Sequence, residues 1–350
     1  MRRLGLIGVR GQAALWAKAS AGTQWKTLLA YHPDPGRQDR AAGFPQTSRF
    51  SDLVRTCDAI VVSSPTPTHL DYLVRLSSEF RGPVLVEKPI VATAEECGRL
   101  ISSVPPRFFS RLFTAQNWRF YPWVAKIREA IAGHPVLAAE LHLTHDLARK
   151  PAYAGSWRSR KKTHPIGPME TQGIHWIDLV HHLLGPIEWV SGRTVRLAGR
   201  GTAPDTGSML LRTQAGTACT IHASYSAPVA YYGRFLTPEQ ILVYRNGTLT
   251  QERARVPVRA GRSRPSPAQT LFSADPERLL VQPLRDQLVL LSRLEKSGPG
   301  NGLISAWEGL ANTAVLSAFE RSARTERPVS LREIPLYRLC RARLRGRAWR

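Results

Sequence analysis

The chain reads as an α/β protein in two parts. A doubly wound parallel sheet comes first, followed by an α+β domain with a large, mainly antiparallel sheet. Three observations predict this. Short apolar runs alternate with helical stretches through the first 120 residues or so, the pattern of parallel strands covered on both faces. After about residue 135 the apolar residues recur with period two, the mark of strands with one buried face. A length of 350 residues with 43% hydrophobic content suffices for two separate cores.

Taken in order, Arg3 to Gly8 reads as the first strand and leads into a helix rich in Ala, Leu and Trp. Trp25 to Tyr31 is the second strand and ends at His32-Pro33-Asp34-Pro35. Asp58 to Ser63 is the third, Val84 to Val86 the fourth and Phe113 to Trp118 the fifth, before a helix near Pro122. The turn Ser64-Pro65-Thr66-Pro67-Thr68-His69 lies at the carboxyl end of the third strand, where such sheets bind ligands. Alternating segments then follow at 136–146, 188–197, 207–214, 217–226 and 239–244, with one helix at 170–184 among them. Asn246-Gly247 marks a hairpin. Residues 253–270 read as a basic surface loop, 276–296 and 302–323 as amphipathic helices, and 341–350 as a basic tail. The domains are therefore drawn at 1–122 and 123–340.

No run of about 18 apolar residues is present, so no membrane span is expected. Met1-Arg2-Arg3 followed by apolar residues imitates a secretory leader, but Arg10, Gly11 and Gln12 interrupt it, and a first strand explains it better. Cys57, Cys97, Cys219 and Cys340 are scattered without CxxC spacing, which argues against a disulfide scaffold or structural zinc and is compatible with a reducing, cytoplasmic compartment. The formal charge of +23 is unusual, and only eight of the 49 basic residues are lysines. Such a surface attracts anions, nucleotides included.

Gly8-Val9-Arg10-Gly11-Gln12-Ala13 follows a strand and opens a helix, the context that a dinucleotide turn requires. Backbone amides there attract a pyrophosphate. Arg10 stands where the second glycine of G-x-G-x-x-G/A belongs; Gly11 can supply the close approach and Arg10 the positive charge. At the end of the second strand, His32 occupies the position of the ribose-binding acidic residue, with Asp34, Arg37 and Arg40 nearby. NAD and NADP both stay open. A lysine at the mouth of an apolar strand, as in Glu87-Lys88-Pro89, needs an anionic or reactive partner. Thr171 and His175, at i and i+4, share one helix face. His175, Asp178 and His182 also have metal-face spacing, but no second cluster supplies further ligands, so no metal is expected.

These pieces, together with Asp58 to Val62, Pro65, His69, Arg119-Phe120, Pro122 and Gly173 to Asp178, resemble the Gfo/Idh/MocA oxidoreductases, in the order and spacing of that family. The resemblance covers nearly the whole chain. It implies an N-terminal Rossmann domain, bound NAD(P), a sugar or cyclitol substrate, and a homo-oligomer formed through the open C-terminal sheet. It further implies that Lys88 meets both cofactor and the reacting hydroxyl, that Glu87 orients Lys88, and that His175 is the general acid/base. Thr171 stands where the family often has a carboxylate, which leaves Lys88 and His175 as the catalytic pair. Gly8, Arg10, Gly11, Gln12, Ala13, His32, Ser64, Pro65, His69, Glu87 and Lys88 are the expected cofactor contacts. Lys88, Arg119, Arg158, His164, Thr171 and His175 are the expected substrate contacts.

The loop Ser156 to Pro165 carries four cations, a histidine and a tryptophan, the groups that clamp a diphosphate and stack on a base. Within the family this points to a nucleotide-sugar 3-dehydrogenase acting at C3 of a UDP-N-acetylglucosamine-type sugar, with a free sugar or cyclitol as the alternative. Two readings from other classes remain: a nucleic-acid binder using the basic segments, and a cofactor-binding protein without turnover. The basic segments lack interleaved aromatics apart from Trp157 and Trp349, so no specific nucleic-acid partner is expected.

Overall fold

The computed structural model describes residues 1–37, 43–253, 267–275, 279–294 and 302–344. Among them the chain forms two compact units. Of the described residues, one unit draws on 1–37, 43–120, 279–294, 302–313 and 340–344, and the other on 121–253, 267–275 and 314–339. The chain is thus not divided by a single cut at 122, because late segments return to the first unit.

The first unit holds six parallel strands: β1 (Arg2–Ile7), β2 (Trp25–Tyr31), β3 (Gln46–Thr47), β4 (Ala59–Val62), β5 (Val84–Glu87) and β6 (Leu112–Ala115). Their order is β3-β2-β1-β4-β5-β6, the doubly wound arrangement whose direction reverses between β1 and β4. β4 and β5 are buried at every residue, as strands covered on both faces must be. Trp16, on helix Gln12–Ser20, is packed in one core with Leu4, Leu6, Leu284, Leu288 and Leu291. Helix Gln282–Ser292 therefore closes this unit, and Trp25 Nε1 donates to the Leu288 carbonyl at 2.7 Å.

The second unit is a sheet of nine strands: β7 (Ala138–Thr144), β8 (Ile187–Val195), β9 (Thr206–Thr213), β10 (Ala218–Ser224), β11 (Ala230–Leu236), β12 (Gln240–Arg245), β13 (Thr248–Arg253), β14 (Gln269–Ser273) and β15 (Val329–Ser330). Their order is β14-β13-β12-β11-β7-β10-β9-β8-β15, antiparallel throughout except for β7 with β10. Buried and exposed residues alternate along β9 and β10, as the period-two pattern predicts. Asn246 and Gly247 both take positive φ (46° and 97°), the twist that a two-residue hairpin demands. β11, β13 and β14 were not expected. Of the predicted basic loop, 254–266 lie outside the described residues. Of the predicted tail, Arg341 to Leu344 end helix Pro335–Leu344 and 345–350 lie outside.

In the first unit, Arg119 pairs with Glu308 at the start of helix Ala306–Thr325, Nη1 to Oε1 2.5 Å, with side chains 9% and 8% exposed. Burial alone would raise the Glu308 carboxyl. The Arg119 charge, with the Ser305 N–H and hydroxyl (both 2.9 Å), holds it below the usual range instead. Arg119→Ala leaves a buried carboxylate without its counter-charge and should remove about 3–5 kcal/mol of stability at neutral pH, read by urea unfolding. A carboxyl depressed in the fold stabilises above its unfolded pKa and loses that contribution as pH falls through its folded value. The gap between wild type and variant should therefore narrow on acidification. A neutral-pH loss below about 1 kcal/mol would refute this account of the pair.

Candidate active site

Helices cover both faces of the first sheet, so side chains that meet a ligand must come from its carboxyl ends. Gly8, just beyond β1, has φ 114°, and a Cβ there would lie 3.1 Å from the Ser63 carbonyl oxygen beyond β4. The turn can pass between the two strands only as glycine. Gly11 (φ 56°) precedes helix Gln12–Ser20, and no side chain caps that helix. Arg10, Gly11 and Gln12 are exposed, while Ala13 is fully buried and packs beneath them. An uncapped helix N-terminus, a loop open above Gly11 and an exposed arginine fit a pyrophosphate. Ala13 contributes packing and backbone, not side-chain contact.

Beyond β4, the Ser64 and Thr68 hydroxyls lie 2.7 Å apart, and Thr68 donates to the Pro65 carbonyl at 2.8 Å. His69, expected to touch the cofactor, is 1% exposed. Its two ring nitrogens face the carbonyls of Pro89 and Ser64, each at 2.9 Å. It is a strut joining the turns beyond β4 and β5, and its desolvation pushes the imidazole pKa down. Beyond β2, His32 Nδ1 accepts from Asp34 N–H (3.1 Å), and Asp34 Oδ1 accepts from Gly36 N–H (2.9 Å). The exposed Asp34 is thus held in its own turn. Arg40 and the Arg37 side chain lie outside the described residues.

Glu87 ends β5 and Lys88 follows it. Glu87 is buried and accepts a hydrogen bond from Trp16 Nε1 at 2.8 Å. Burial raises its carboxyl pKa, against the opposing charge of Lys88. Glu87 therefore anchors the strand end to the glycine-turn helix and is not placed as a cofactor contact. Lys88 is half-buried and precedes a cis peptide to Pro89. Arg119, expected at the substrate, is turned instead to Glu308. A cavity of about 810 Å³ bordered by Arg2, Asp58, Pro83 and Arg111 opens at the opposite, amino-terminal end of the sheet, away from the glycine turn.

In the second unit, the helix predicted at 170–184 begins with a π turn, Met169–Gly173, and continues as helix Ile174–Leu184. Such widened turns recur at functional sites. Gly207 of β9 lies beneath Met169; a Cβ there would meet Met169 Cγ at 2.5 Å. The Gln172 amide, oriented by its neighbours, donates to the carbonyls of Leu143 (3.0 Å) and Ser224 (3.2 Å), tying the turn to β7 and β10. Thr171 is half-buried, and His175, one turn on, is 8% exposed. Trp176 packs behind, 6.1 Å from the Trp123 ring centroid and over Gly233.

His164, expected as a substrate contact, is fully buried with both nitrogens engaged. Nδ1 lies 2.8 Å from Glu170 Oε2, and Nε2 lies 3.2 Å from the Tyr225 hydroxyl. A side chain so placed cannot reach a ligand directly. Trp157 packs edge-on against His164 (5.2 Å), and Arg158 stacks over Trp157 (4.6 Å), so the residues expected to clamp a nucleotide are partnered with one another. Arg160, Lys161 and Lys162 stay exposed. The Tyr225 hydroxyl also bonds Thr171 Oγ1. Tyr225 and Trp16 were absent from the expected site. Period two marks Tyr225 as inward-facing, but no local signal names its partners. Among the described residues, no three ligating side chains gather as a metal site.

Two family models match the chain. One is described as an oxidoreductase family with an NAD-binding Rossmann fold, over residues 2–105, and the other as a GFO/IDH/MocA C-terminal domain, over residues 126–250. Inositol 2-dehydrogenase of Acidothermus cellulolyticus is 30% identical over 289 residues, covering 78% of this chain and 76% of that protein. Inositol 2-dehydrogenase 1 of Saccharopolyspora erythraea is 29% identical over 285 residues, covering 78% and 77%. Levoglucosan dehydrogenase in complex with NADH superposes with a TM-score of 0.79 at 17% identity, covering 94% of this chain and 99% of that one. An oxidoreductase domain protein from Kribbella flavida gives 0.76 at 18%, covering 94% and 98%. At such identities these two structures speak to the fold alone. The paired domain matches and the relative at 30% identity place the chain in the Gfo/Idh/MocA family of NAD-dependent oxidoreductases, enzymes that act on CH–OH groups.

Proposed function

We propose that the chain oxidises a secondary hydroxyl of a cyclitol or free sugar, with Lys88 and His175 as its catalytic residues. The observation that carries the substrate class is the likeness to inositol 2-dehydrogenases across more than three quarters of the chain. Nicotinamide, when bound, supplies the hydride acceptor. Lys88, at the mouth of β5, places an ammonium that stabilises the alkoxide developing on the substrate oxygen. His175 takes the hydroxyl proton, the task for which an imidazole is suited near neutral pH. Gly8 and the exposed Arg10, Gly11 and Gln12 hold the pyrophosphate, with Ser64 and Pro65 beside them and His32 toward the adenosine ribose.

The nucleotide-sugar expectation rested on the loop 156–165. There Arg158 stacks on Trp157 and His164 is buried, so two of the groups it relied on are already engaged within the protein. Oxidation at C3 of a UDP-N-acetylglucosamine-type sugar is accordingly the second reading, supported only by the exposed Arg160, Lys161 and Lys162. The four buried free cysteines support a reducing, cytoplasmic setting. Self-association belongs to this reading through the outer face of the nine-stranded sheet, where Ser208, Leu210, Arg212 and Thr220 are exposed.

Lys88→Met should keep NAD⁺ binding by calorimetry and lower kcat by about 10³-fold or more; a near-normal rate would refute its role. His175→Asn should cut kcat by roughly 10²–10⁴-fold while the circular dichroism spectrum stays unchanged. Thermal shift and turnover with NAD⁺ should respond to myo-inositol or free hexoses. A response to UDP-sugars alone would overturn the polyol reading in favour of the second.

A further inference from the structure

Glu170, His164, Tyr225 and Thr171 form one hydrogen-bonded chain that begins inside the second unit and ends one turn before His175. Its first three members are 2%, 0% and 2% exposed, and only Thr171 is reached by solvent. Whatever this chain does to a ligand, it does through the Thr171 hydroxyl. Resting on the reading of a polyhydroxyl substrate, we propose that Tyr225, backed by His164 and Glu170, is a positioning residue. It makes the Thr171 oxygen a fixed hydrogen-bond acceptor for a substrate hydroxyl neighbouring the one oxidised.

The direction follows from the donor inventory. A carboxylate can only accept, and Glu170 takes the Ile166 N–H on Oε1 (3.1 Å) and the His164 ring on Oε2, so His164 Nδ1 carries hydrogen. A neutral ring is part of the proposal: its Nε2 then has only a lone pair and accepts from the Tyr225 O–H. The Tyr225 oxygen then accepts from Thr171 Oγ1–H. With its hydrogen given to Tyr225, the Thr171 oxygen can meet a ligand only as an acceptor and so selects a group that donates. Burial of Tyr225 raises its pKa and keeps the phenol protonated, as this arrangement requires. The ring is held by edge-on contact with Tyr153 (5.9 Å) and stacking on His164 (5.9 Å), and its own N–H donates to the Asp205 carbonyl (2.7 Å). Thr171 lies in the π turn that runs directly into the helix carrying His175, which in this proposal puts the group held by Thr171 on a carbon neighbouring the one served by His175. Threonine has no charge to offer at this position. The buried chain behind it supplies direction instead.

The test compares wild type, Thr171→Val, Thr171→Ser, Tyr225→Phe and the Val/Phe double variant, using NAD⁺ with myo-inositol, D-glucose and their monodeoxyfluoro analogues. Fluorine accepts but cannot donate. Wild type should lose about 10-fold in kcat/KM with fluorine at one neighbouring position. Thr171→Val and Tyr225→Phe should each raise KM for the parent polyol by about 3- to 10-fold with kcat little changed, and each should erase the fluorine discrimination. The double variant should be no worse than Thr171→Val, and Thr171→Ser should restore the wild-type pattern. Tyr225→Phe with unaltered KM and discrimination, or a preference for fluorine in wild type, overturns the proposal. In parallel, ¹⁵N NMR of ring-labelled histidine in the full chain should find His164 protonated on Nδ1 only. An Nε2–H or doubly protonated ring overturns the direction assigned. Absence of turnover on every polyol would count against the substrate reading, and the ring tautomer would still decide this one.

Discussion

A parallel sheet buried on both faces imposes the constraint on which the first unit is built. Its backbone is satisfied by neighbouring strands and its side chains are committed to packing, so only the strand ends are left for chemistry. Gly8, Ser64, Lys88 and the head of helix Gln12–Ser20 all stand at the carboxyl ends. Behind them, Glu87 ties β5 to Trp16 and His69 ties the turn after β4 to Pro89, so the turns that present those groups are joined by buried hydrogen bonds. Rigid ends on a rigid sheet are what a cofactor site needs in order to hold reacting atoms in register.

The second unit meets the complementary problem of polar groups held inside a core. A buried carboxylate such as Glu170 is tolerable only when donors occupy its oxygens, and here a ring nitrogen and a backbone amide do so. Completing that set draws in His164, then Tyr225, then Thr171. The widening of the helix at Met169–Gly173, seated on Gly207 of β9, lies in the same stretch. A network of this kind is either complete or destabilising, and here the stretch 164–171 completes it only by reaching Tyr225, far along the chain.

Much of this was legible in the order of residues. The alternation of strands and helices, the glycine turn and the place of Lys88 at the end of a buried run all rest on local rules with periods of two or about four, whereas the short strand Gln46–Thr47 and the π turn that holds Thr171 left no such signal. What misled was side-chain chemistry taken without burial. His164 and His69 look like ligands because histidine often is one, yet each is enclosed with both nitrogens engaged. Arg119 looks like an anion contact but meets Glu308 across 189 residues of sequence. Trp157 looks like a stacking platform but carries its own neighbour Arg158 on the ring and meets His164 edge-on. The return of helix Gln282–Ser292 to the first unit was equally hidden, since amphipathicity shows that a face is buried without saying against what.

By itself, then, the sequence determined the fold class, the two-part organisation, the family and the residue types available for hydride chemistry. Strand and helix periodicity and turn conformation are set within a few neighbours along the chain. Tertiary structure alone decided which polar side chains face a ligand and which are struts. That depends on contacts such as Thr171 with Tyr225, 54 residues apart, and His164 with Tyr225, 61 apart, which exist only once sheet and helix have packed. The physical reason is desolvation. Whether a histidine or a carboxylate is a ligand or a buried joint turns on whether water or protein surrounds it, and no local pattern carries that information.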